Sequence, residues 1–197
     1  MNLGFDIIVL DLELNKPDSN DFEILEIGAI KYSRNHEITS KYFSICLYTS
    51  IIEKEITDLT GIDNVGRLDR PTFTEIFPVF YNWCVEDTKN IFLGCWGNDV
   101  YLLKSYCKRL NIDWPFRGTQ TDIKSISIIL SNILNNKPKS YSLDRFLNFY
   151  NLGFDDKYGK QHRALPDAYN TARLLKHQFD MFQSIKDNIN KVLEFYK

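Results

Sequence analysis

The pattern of hydrophobic and polar positions differs between the first third of the chain and the rest. In the first third it predicts strands. Short β-rich apolar runs cover residues 5–12, 24–32 and 40–47, with polar links between them. Runs of this length bounded by polar breaks are typical of strands, and short links between consecutive strands favour an antiparallel meander. A short helix followed by a loop is predicted over residues 57–66.

The remaining two thirds of the chain alternates helical and strand patterns. Apolar residues three and four positions apart mark one face of a helix. This spacing predicts helices over 72–86, from near Asp99, over 122–134, from Ser142, along 168–182 and over 185–195. Residues 90–96 form a continuous apolar run that is typical of a buried strand. A meander followed by helix–strand alternation predicts an α/β three-layer domain, in which helices flank a mixed sheet.

Length and composition predict a single domain over residues 1–197. Hydrophobic residues make up 44% of the chain and charged residues 25%, as in ordinary soluble globular proteins. With 24 basic and 26 acidic residues, the net charge is −2, which argues against tight non-specific binding of nucleic acid. This near-neutral charge is compatible with an enzyme whose acidic site is neutralised by metal ions.

The remaining composition indicates an intracellular location. The four cysteines show neither a C-x-x-C pair nor zinc-ligand spacing, so a reducing, cytoplasmic compartment is predicted. The N-terminal apolar run contains Asp6 and Asp11 and lacks a basic region, which excludes a signal peptide as its interpretation. No apolar stretch reaches 18 residues, so the sequence predicts no membrane partner.

Two carboxylates end the first predicted strand. Asp11 and Glu13 are two positions apart, which places both side chains on one face, roughly 6.5–7 Å apart along the chain. Neighbouring carboxylates repel unless a cation lies between them or one stays protonated. The pair is equally typical of a solvent-facing strand end, so it carries little weight by itself.

Two further acids and a histidine follow other predicted elements. Asp99 begins a helix directly after the strand at 90–96, where it could serve as an N-cap or join a site at the carboxyl edge of the sheet. Asp167 lies in the first turn of the long helix, where the helix dipole alone favours a carboxylate. His162 lies in the polar loop that precedes this helix.

Taken together, these residues predict a metal site that acts on phosphodiesters. Carboxylate oxygens suit Mg²⁺ or Mn²⁺ rather than zinc. A pair of such ions about 3.5–4 Å apart can hold the attacking and leaving oxygens of a phosphodiester. An imidazole titrates near neutral pH, so His162 could take the proton of an attacking water.

The same residues occur in sequence stretches that resemble the DEDD-type exonucleases with a ribonuclease H-like fold, in the subclass with a catalytic histidine. The matching stretches are Asp11-Leu12-Glu13, Glu26-Ile27-Gly28-Ala29, Leu59-Thr60-Gly61-Ile62, Trp96-Gly97-Asn98-Asp99 and residues 162–172, in family order. The last stretch is the most specific and resembles the branch of RNA-trimming enzymes that act on histone mRNA and small interfering RNA. The resemblance implies a mixed five-stranded sheet.

The resemblance also implies a reaction and the roles of single residues. Asp11 would bridge two Mg²⁺ or Mn²⁺ ions, Glu13 and Asp167 would complete the tighter ion site, and Asp99 would act through the second ion. His162 would activate the water, and nucleoside 5′-monophosphates would be released from the 3′ end of single-stranded RNA or, less favoured, DNA. No protein partner is indicated.

Substrate contacts follow from the resemblance with alternatives left open. Leu14 and Ile62 would pack on the terminal bases and Trp96 would lie near the site, although each is also suited to the core. Candidates for the phosphate path are Lys157, Lys160 and Arg163, which are equally typical of a solvated loop. Rival functions are a binding or regulatory module without turnover, and an endonuclease or other phosphodiesterase that uses the same metals.

Overall fold

The computed structural model describes residues 4–16, 21–33, 37–133 and 138–195 of the chain. Within these ranges the strands are β1 (Asp6–Asn15), β2 (Glu23–Tyr32), β3 (Ile38–Ile45), β4 (Ile91–Cys95) and β5 (Gln120–Asp122). The α-helices are α1 (Lys54–Thr60), α2 (Phe73–Val85), α3 (Asp99–Arg109), α4 (Ile123–Ile133), α5 (Leu143–Phe149) and α6 (Ala164–Phe195).

The strands form a mixed sheet in the order β3-β2-β1-β4-β5. β1, β2 and β3 pair antiparallel, as the meander predicted, whereas β4 pairs parallel with β1 and β5 pairs parallel with β4. The carboxyl ends of β1 and β4 therefore point to the same edge of the sheet. The predicted α/β architecture with a mixed five-stranded sheet is confirmed.

Alternate residues of β1 pack on opposite faces of the sheet. Ile8 and Leu10 are fully buried in a cluster with α2 and α3 that includes Phe80. Ile7 and Val9 lie in a second cluster, under α6. Because side chains alternate with a period of two, the next odd positions after Val9, which are 11 and 13, also face α6.

Several predicted boundaries differ from the structure. β1 continues to Asn15 because its pairing with β2 resumes after an irregularity between Glu13 and Leu14. The first helix lies at Lys54–Thr60, earlier than the predicted residues 57–66. The short strand β5 was not predicted from its sequence, since its three residues carry no apolar alternation. Leu134, predicted as the end of a helix, lies outside the described residues.

The two helices predicted over residues 168–182 and 185–195 are one. α6 runs over 32 residues without interruption. No glycine or proline lies between residues 167 and 195, so nothing in this stretch forces the backbone to leave the helix. Among the described residues, no helix is long and apolar enough to cross a membrane.

Candidate active site

Three carboxylates converge where β1 meets the start of α6. Asp11 and Glu13 reach the site from the α6 face of β1, and Asp167 reaches it from the first turn of α6. One oxygen atom of each side chain lies within 4.8 Å of the corresponding oxygens of the other two. Residues more than 150 positions apart in sequence therefore form one acidic cluster, defined by Asp11, Glu13 and Asp167.

The close approach of α6 to the sheet depends on Gly28. This residue pairs with Asp11 across β1 and β2. A Cβ atom built at Gly28 would lie 2.1 Å from the backbone N of Leu165 and 2.2 Å from the carbonyl carbon of Ala164. Real Cβ atoms do not approach backbone atoms so closely, so only glycine lets α6 begin directly above β2. This position of the helix brings Asp167 to Asp11.

A buried glutamate connects the same helix to β2. Glu26 is fully buried and pairs across the sheet with Glu13. Its carboxylate accepts hydrogen bonds from Arg163 Nε at 2.8 Å and from the backbone N of Ala164 at 3.0 Å. Glu26 lies within one of the motifs that carry the resemblance, but the sequence alone indicated no role for it. The available signal was a charged residue near the centre of a largely apolar strand.

Burial and repulsion by nearby carboxylates raise the pKa values of the acidic cluster. The pKa of Asp11 lies well above its usual range because of burial and the charges of Asp99, Asp167 and Glu13. Burial and the nearby Glu26 raise the pKa of Glu13 to about 8. Burial raises the pKa of Asp167 to about 6, although the N–H of His162 opposes this shift. Charging all three groups is therefore unfavourable without a cation.

Asp99 lies next to this cluster rather than within it. It is the first residue of α3, and the N-cap position belongs to Asn98, whose side chain makes no capping hydrogen bond. The alternative that Asp99 caps the helix is therefore wrong. Burial and Asp122 raise the pKa of Asp99 to about 7, and Lys16 opposes this shift. The charge of Asp99 in turn raises the pKa values of Asp11 and Glu13, so it belongs to the same electrostatic site.

A carboxylate of β5 holds the loop before Asp99. Asp122 accepts hydrogen bonds from the backbone N of Gly97 at 2.8 Å and from that of Lys124 at 2.9 Å. The link between β4 and α3 is thereby tied to the neighbouring strand. The sequence did not predict β5, so it also gave no indication that Asp122 fixes the loop that positions Asp99.

His162 lies on an exposed loop at the entrance to α6. Its backbone N donates to Asp167 Oδ2 at 3.2 Å, which ties the loop to the acidic cluster. Its φ of 65° lies in the left-handed region, which is uncommon for a residue with a side chain. Such a conformation persists only where surrounding contacts enforce it. Those contacts include the bonds that Glu26 accepts from the next two residues.

A second network fixes the beginning of the same loop. The backbone N of Asp155 donates to Asn170 Oδ1 at 2.9 Å, and Asn170 Nδ2 donates to the carbonyl of Asp155 at 2.9 Å. Arg173 donates to Asn170 Oδ1 at 2.7 Å and to the carbonyl of Gly153 at 3.0 Å. The loop from 153 to 163 is therefore held at both ends by α6 or β2.

The predicted substrate contacts have different surroundings. Leu14 is partly buried beside the α2–α3 cluster, and Trp96 packs edge-to-face on Phe146 with ring centroids 5.2 Å apart. Ile62 is 3% exposed and packs in a small cluster with Tyr48. Arg163 is bound to Glu26. The base-packing roles of Leu14, Ile62 and Trp96 stay predictions.

The acidic cluster fits a divalent cation of the hard type. Its donors are carboxylate oxygens, which Mg²⁺ and Mn²⁺ prefer. Asp167 Oδ1 is buried and has no hydrogen-bond partner among the described residues. A buried charged oxygen without a partner is costly, and a cation at the cluster would satisfy it. Asp11, Glu13 and Asp167 could therefore hold a metal ion, with Asp99 close enough to contribute its charge.

Comparisons with known proteins give a consistent result. The family model described as Exonuclease (RNase_T) matches residues 8–175. The PolC-type DNA polymerase III of Caldanaerobacter subterraneus subsp. tengcongensis is 30% identical over 198 residues, which cover 98% of this chain and 13% of that protein. The DNA polymerase III subunit epsilon of Aquifex aeolicus is 28% identical over 169 residues, covering 85% of this chain and 77% of the relative.

A solved structure shows the same fold. The nuclease domain of 3′hExo, described as a DEDDh family member bound to rAMP, superposes with a TM-score of 0.74 at 19% identity. The match covers 89% of this chain and 92% of that domain.

Proposed function

The chain belongs to the exonuclease (RNase_T) family, whose model matches most of its length, and from this premise we propose that it is a metal-dependent 3′→5′ exonuclease. The family predicted from the sequence is thereby confirmed. The chain spans 13% of the length of the PolC-type relative, so the activity of the whole protein is part of the proposal. The single domain over residues 1–197 and the cytoplasmic location stay predictions.

The convergence of Asp11, Glu13 and Asp167 is the observation that carries this proposal. Three acids within 4.8 Å, with pKa values raised by burial and by neighbouring carboxylates, are costly to the fold. Such an arrangement is explained by a bound cation and not by stability. A module that had lost turnover would be expected to have lost at least one of these acids, and all of them are present.

We propose two Mg²⁺ or Mn²⁺ ions, held by Asp11, Glu13 and Asp167 with Asp99 contributing to the second. Bound there, the ions would supply charge stabilisation for the attacking and leaving oxygens of a phosphodiester. The protein contributes the placement of the acids, which depends on Gly28 and Glu26. Both residues fix the start of α6, and so the position of Asp167.

His162 is the proposed general base. A ring nitrogen of this exposed imidazole would accept the proton of the water that attacks the terminal phosphodiester. The loop conformation that carries the ring is enforced by the bonds from His162 N to Asp167 and from Ala164 N to Glu26. The same short segment would therefore carry the proposed base and one proposed ligand of the metal.

The substrate is proposed to be the 3′ end of a single strand. The sequence prediction favours RNA over DNA, and the solved nuclease domain is described with rAMP. The two relatives compared above are a DNA polymerase III protein and a subunit of that polymerase. Because these findings point to both sugars, the preference for RNA stays a prediction that the assay below decides.

The test is a time course with 5′-labelled and 3′-labelled single strands of RNA and of DNA, in Mg²⁺, Mn²⁺ or EDTA. We expect the 5′-labelled strand to shorten stepwise and the 3′-labelled strand to release its labelled nucleotide at once, only with metal. Internal fragments appearing first would identify an endonuclease. Binding without cleavage of either strand would identify a module without turnover, and both results contradict the proposal.

The role of His162 is tested by His162→Ala with His177→Ala as its control. His177 is a partly buried histidine on α6 whose ring lies 5.0 Å from that of Tyr150, away from the acidic cluster. We expect His162→Ala to lower kcat by roughly 10²–10⁴-fold while affinity for the strand changes little. A kcat equal to that of His177→Ala would exclude His162 as the base.

A further inference from the structure

A groove of about 350 Å³ lies on the outer side of the loop that carries His162. Its walls include Phe43, Tyr158, Lys160, Arg163 and Pro166. It is separate from the acidic cluster, and we refer to these five residues together with Lys41 as the β3 groove.

The sheet register places this groove relative to Asp11. Asp11 pairs with Gly28, and Gly28 pairs with Phe43, so the three residues form one row across β1, β2 and β3. Neighbouring strands are about 4.8 Å apart, which puts the backbone of Phe43 about 10 Å from that of Asp11. The start of α6 lies above Gly28, between them. The groove and the acidic cluster are therefore on the two sides of the same helix start.

Positive charge gathers in and beside this groove. Lys41 Nζ lies 4.4 Å from the centre of the Tyr158 ring, and Lys157 Nζ lies 5.2 Å from it. Within the described part of the chain, Lys41, Lys157 and Lys160 form no salt bridge. The nearby carboxylate of Asp155 is already engaged by Arg173, at 3.7 Å, and by the Tyr169 hydroxyl.

Arg163 connects the groove to the loop of the proposed base. Its Nε donates to Glu26, its Nη atoms make no hydrogen bond to residues that the structure describes, and its guanidinium lies 5.7 Å from the Phe43 ring. The ammonium group of Lys160 lies near the end of α1: a Cβ atom built at Gly61 would be 3.4 Å from Lys160 Nζ. Lys160 and Arg163 therefore lie on either side of the Gln161-His162 segment.

An exposed aromatic ring accompanies these charges. Phe43 is 44% exposed on β3, which is an edge strand, and it shares a face with Lys41 two positions earlier. Aromatic rings on which bases stack, set among cations that contact phosphates, are the usual means of holding a single strand without sequence preference. An acidic peptide would be held by the cations and would gain little from the phenylalanine.

We propose that the β3 groove binds the polynucleotide strand upstream of its 3′-terminal nucleotide. Phe43 stacks on a base, and Lys41, Lys160 and Arg163 contact phosphates. The strand passes over the His162 loop, with its 3′ end at the acidic cluster and its preceding nucleotides in the groove. This inference rests on the proposed exonuclease function and adds to it a site that lengthens the bound segment.

The experiment measures binding by fluorescence anisotropy in EDTA, so that nothing is cleaved. The probes are 5′-fluorescein single strands of about 4 and about 16 nucleotides, as both RNA and DNA. The variants are Phe43→Ala and the double variant Lys41→Glu/Lys160→Glu, and Lys186→Glu, an exposed lysine on the distant half of α6, is the control. Cleavage of the same strands in Mg²⁺ is followed in parallel.

We expect Phe43→Ala to weaken binding of the long strand between about 5-fold and about 100-fold, and to weaken the short strand less. The double variant should also lower the salt dependence, by about 0.7 in log–log slope for each phosphate that the protein no longer neutralises. Lys186→Glu should change neither. A ribose contribution would appear as a larger loss for RNA than for DNA.

Three outcomes would overturn the proposal. Long-strand affinity equal to the control, or equal losses for both lengths, would exclude an upstream site. Loss in the double variant without loss in Phe43→Ala, together with displacement of the strand by polyglutamate, would identify a general polyanion surface. Failure of the unaltered chain to shorten any strand in Mg²⁺ would instead contradict the exonuclease function, so the two failures are distinguishable.

Discussion

The two faces of β1 belong to one strand but carry opposite chemistry. Ile8, Leu10 and Leu12 turn toward α2 and α3 and are almost completely buried. Asp11 and Glu13 turn toward α6 and supply two of the three acids of the acidic cluster. Each fully buried aliphatic side chain contributes about 1.5–3 kcal/mol to folding, whereas buried carboxylates with raised pKa values oppose it.

This contrast separates the source of stability from the source of the proposed activity. The α2–α3 face has aromatic packing around Phe80, which contacts the rings of Tyr42, Trp83 and Phe116. At the end of β1, the α6 face has the carboxylates of Asp11 and Glu13 in place of apolar side chains. We therefore expect changes on the first face to alter stability more than turnover, and changes on the second to do the reverse.

The largest effect should come from Asp11→Asn, which preserves shape and removes the central charge of the cluster. Metal-assisted catalysis contributes several kcal/mol, so we expect a loss of roughly 10⁴-fold in kcat. The measurement is the rate of 3′-end shortening at saturating Mg²⁺. Activity within about tenfold of the unaltered chain, a difference of about 1.4 kcal/mol, would remove Asp11 from the site.

The opposite face is tested by Phe80→Ala. Truncating this fully buried ring should lower the free energy of unfolding by about 3–5 kcal/mol, measured by urea denaturation. At a temperature where the variant stays folded, we expect its kcat to remain near that of the unaltered chain. A loss of turnover comparable to that of Asp11→Asn would contradict the claim that the α2–α3 face contributes to stability and the α6 face to turnover.

The joint between β2 and α6 is tested by Gly28→Ala against Gly94→Ala. The added Cβ at Gly28 meets backbone atoms of Leu165 and Ala164, whereas at Gly94 it meets the side-chain end of Ile123 at 2.8 Å. Overpacking against backbone should cost about 1–3 kcal/mol and displace α6 from Asp11. We expect turnover to fall with Gly28→Ala and to persist with Gly94→Ala. Equal turnover in the two variants would show that the close approach does not place Asp167.

A smaller effect is expected in the pH dependence of stability without metal. The folded pKa values of Glu13 and Asp99, about 8 and about 7, lie above the ordinary values of 4.5 and 3.8. The folded state then binds more protons than the unfolded state, so stability is complete below the ordinary values and falls as pH rises through the folded ones. For these partly exposed groups we expect a loss of about 1 kcal/mol between pH 5 and pH 8 in EDTA.

Glu13→Gln provides the control for this pH dependence. The variant lacks one of the titrating groups, so its unfolding free energy in EDTA should depend less on pH than that of the unaltered chain. Parallel pH profiles of the two proteins would contradict the assignment of the raised pKa to Glu13.

The order of strands and helices was predictable because it depends on local periodicity. The alternation in β1 placed Asp11 and Glu13 on one face, and the structure agrees. Local patterns do not report distant contacts, and this explains what was missed. Glu26 acquires its role only when Arg163 and Ala164 fold onto it, and Asp122 only when β5 pairs with β4.

The same limit applies to conformation and burial. The left-handed backbone of His162 is enforced by tertiary bonds, so its sequence gives no sign of it. Base contact and core packing were both left open for Ile62; its side chain lies in a cluster with Leu25 and Tyr48, and its contact with a base stays a prediction. An apolar side chain in a loop motif does not reveal whether it contacts a ligand or the core.

The central claim is that the acids on the α6 face of β1 are held together for a cation. The most direct measurement is the melting temperature of the unaltered chain and of Asp11→Asn, near pH 8, in EDTA and in Mg²⁺ at about 100 times its dissociation constant. We predict that the variant melts higher in EDTA, because repulsion is relieved. Mg²⁺ should stabilise the unaltered chain by about 2.7 kcal/mol, roughly 5–10 °C, and leave the variant nearly unchanged. An equal rise in both proteins, or a variant less stable in EDTA, would contradict the claim.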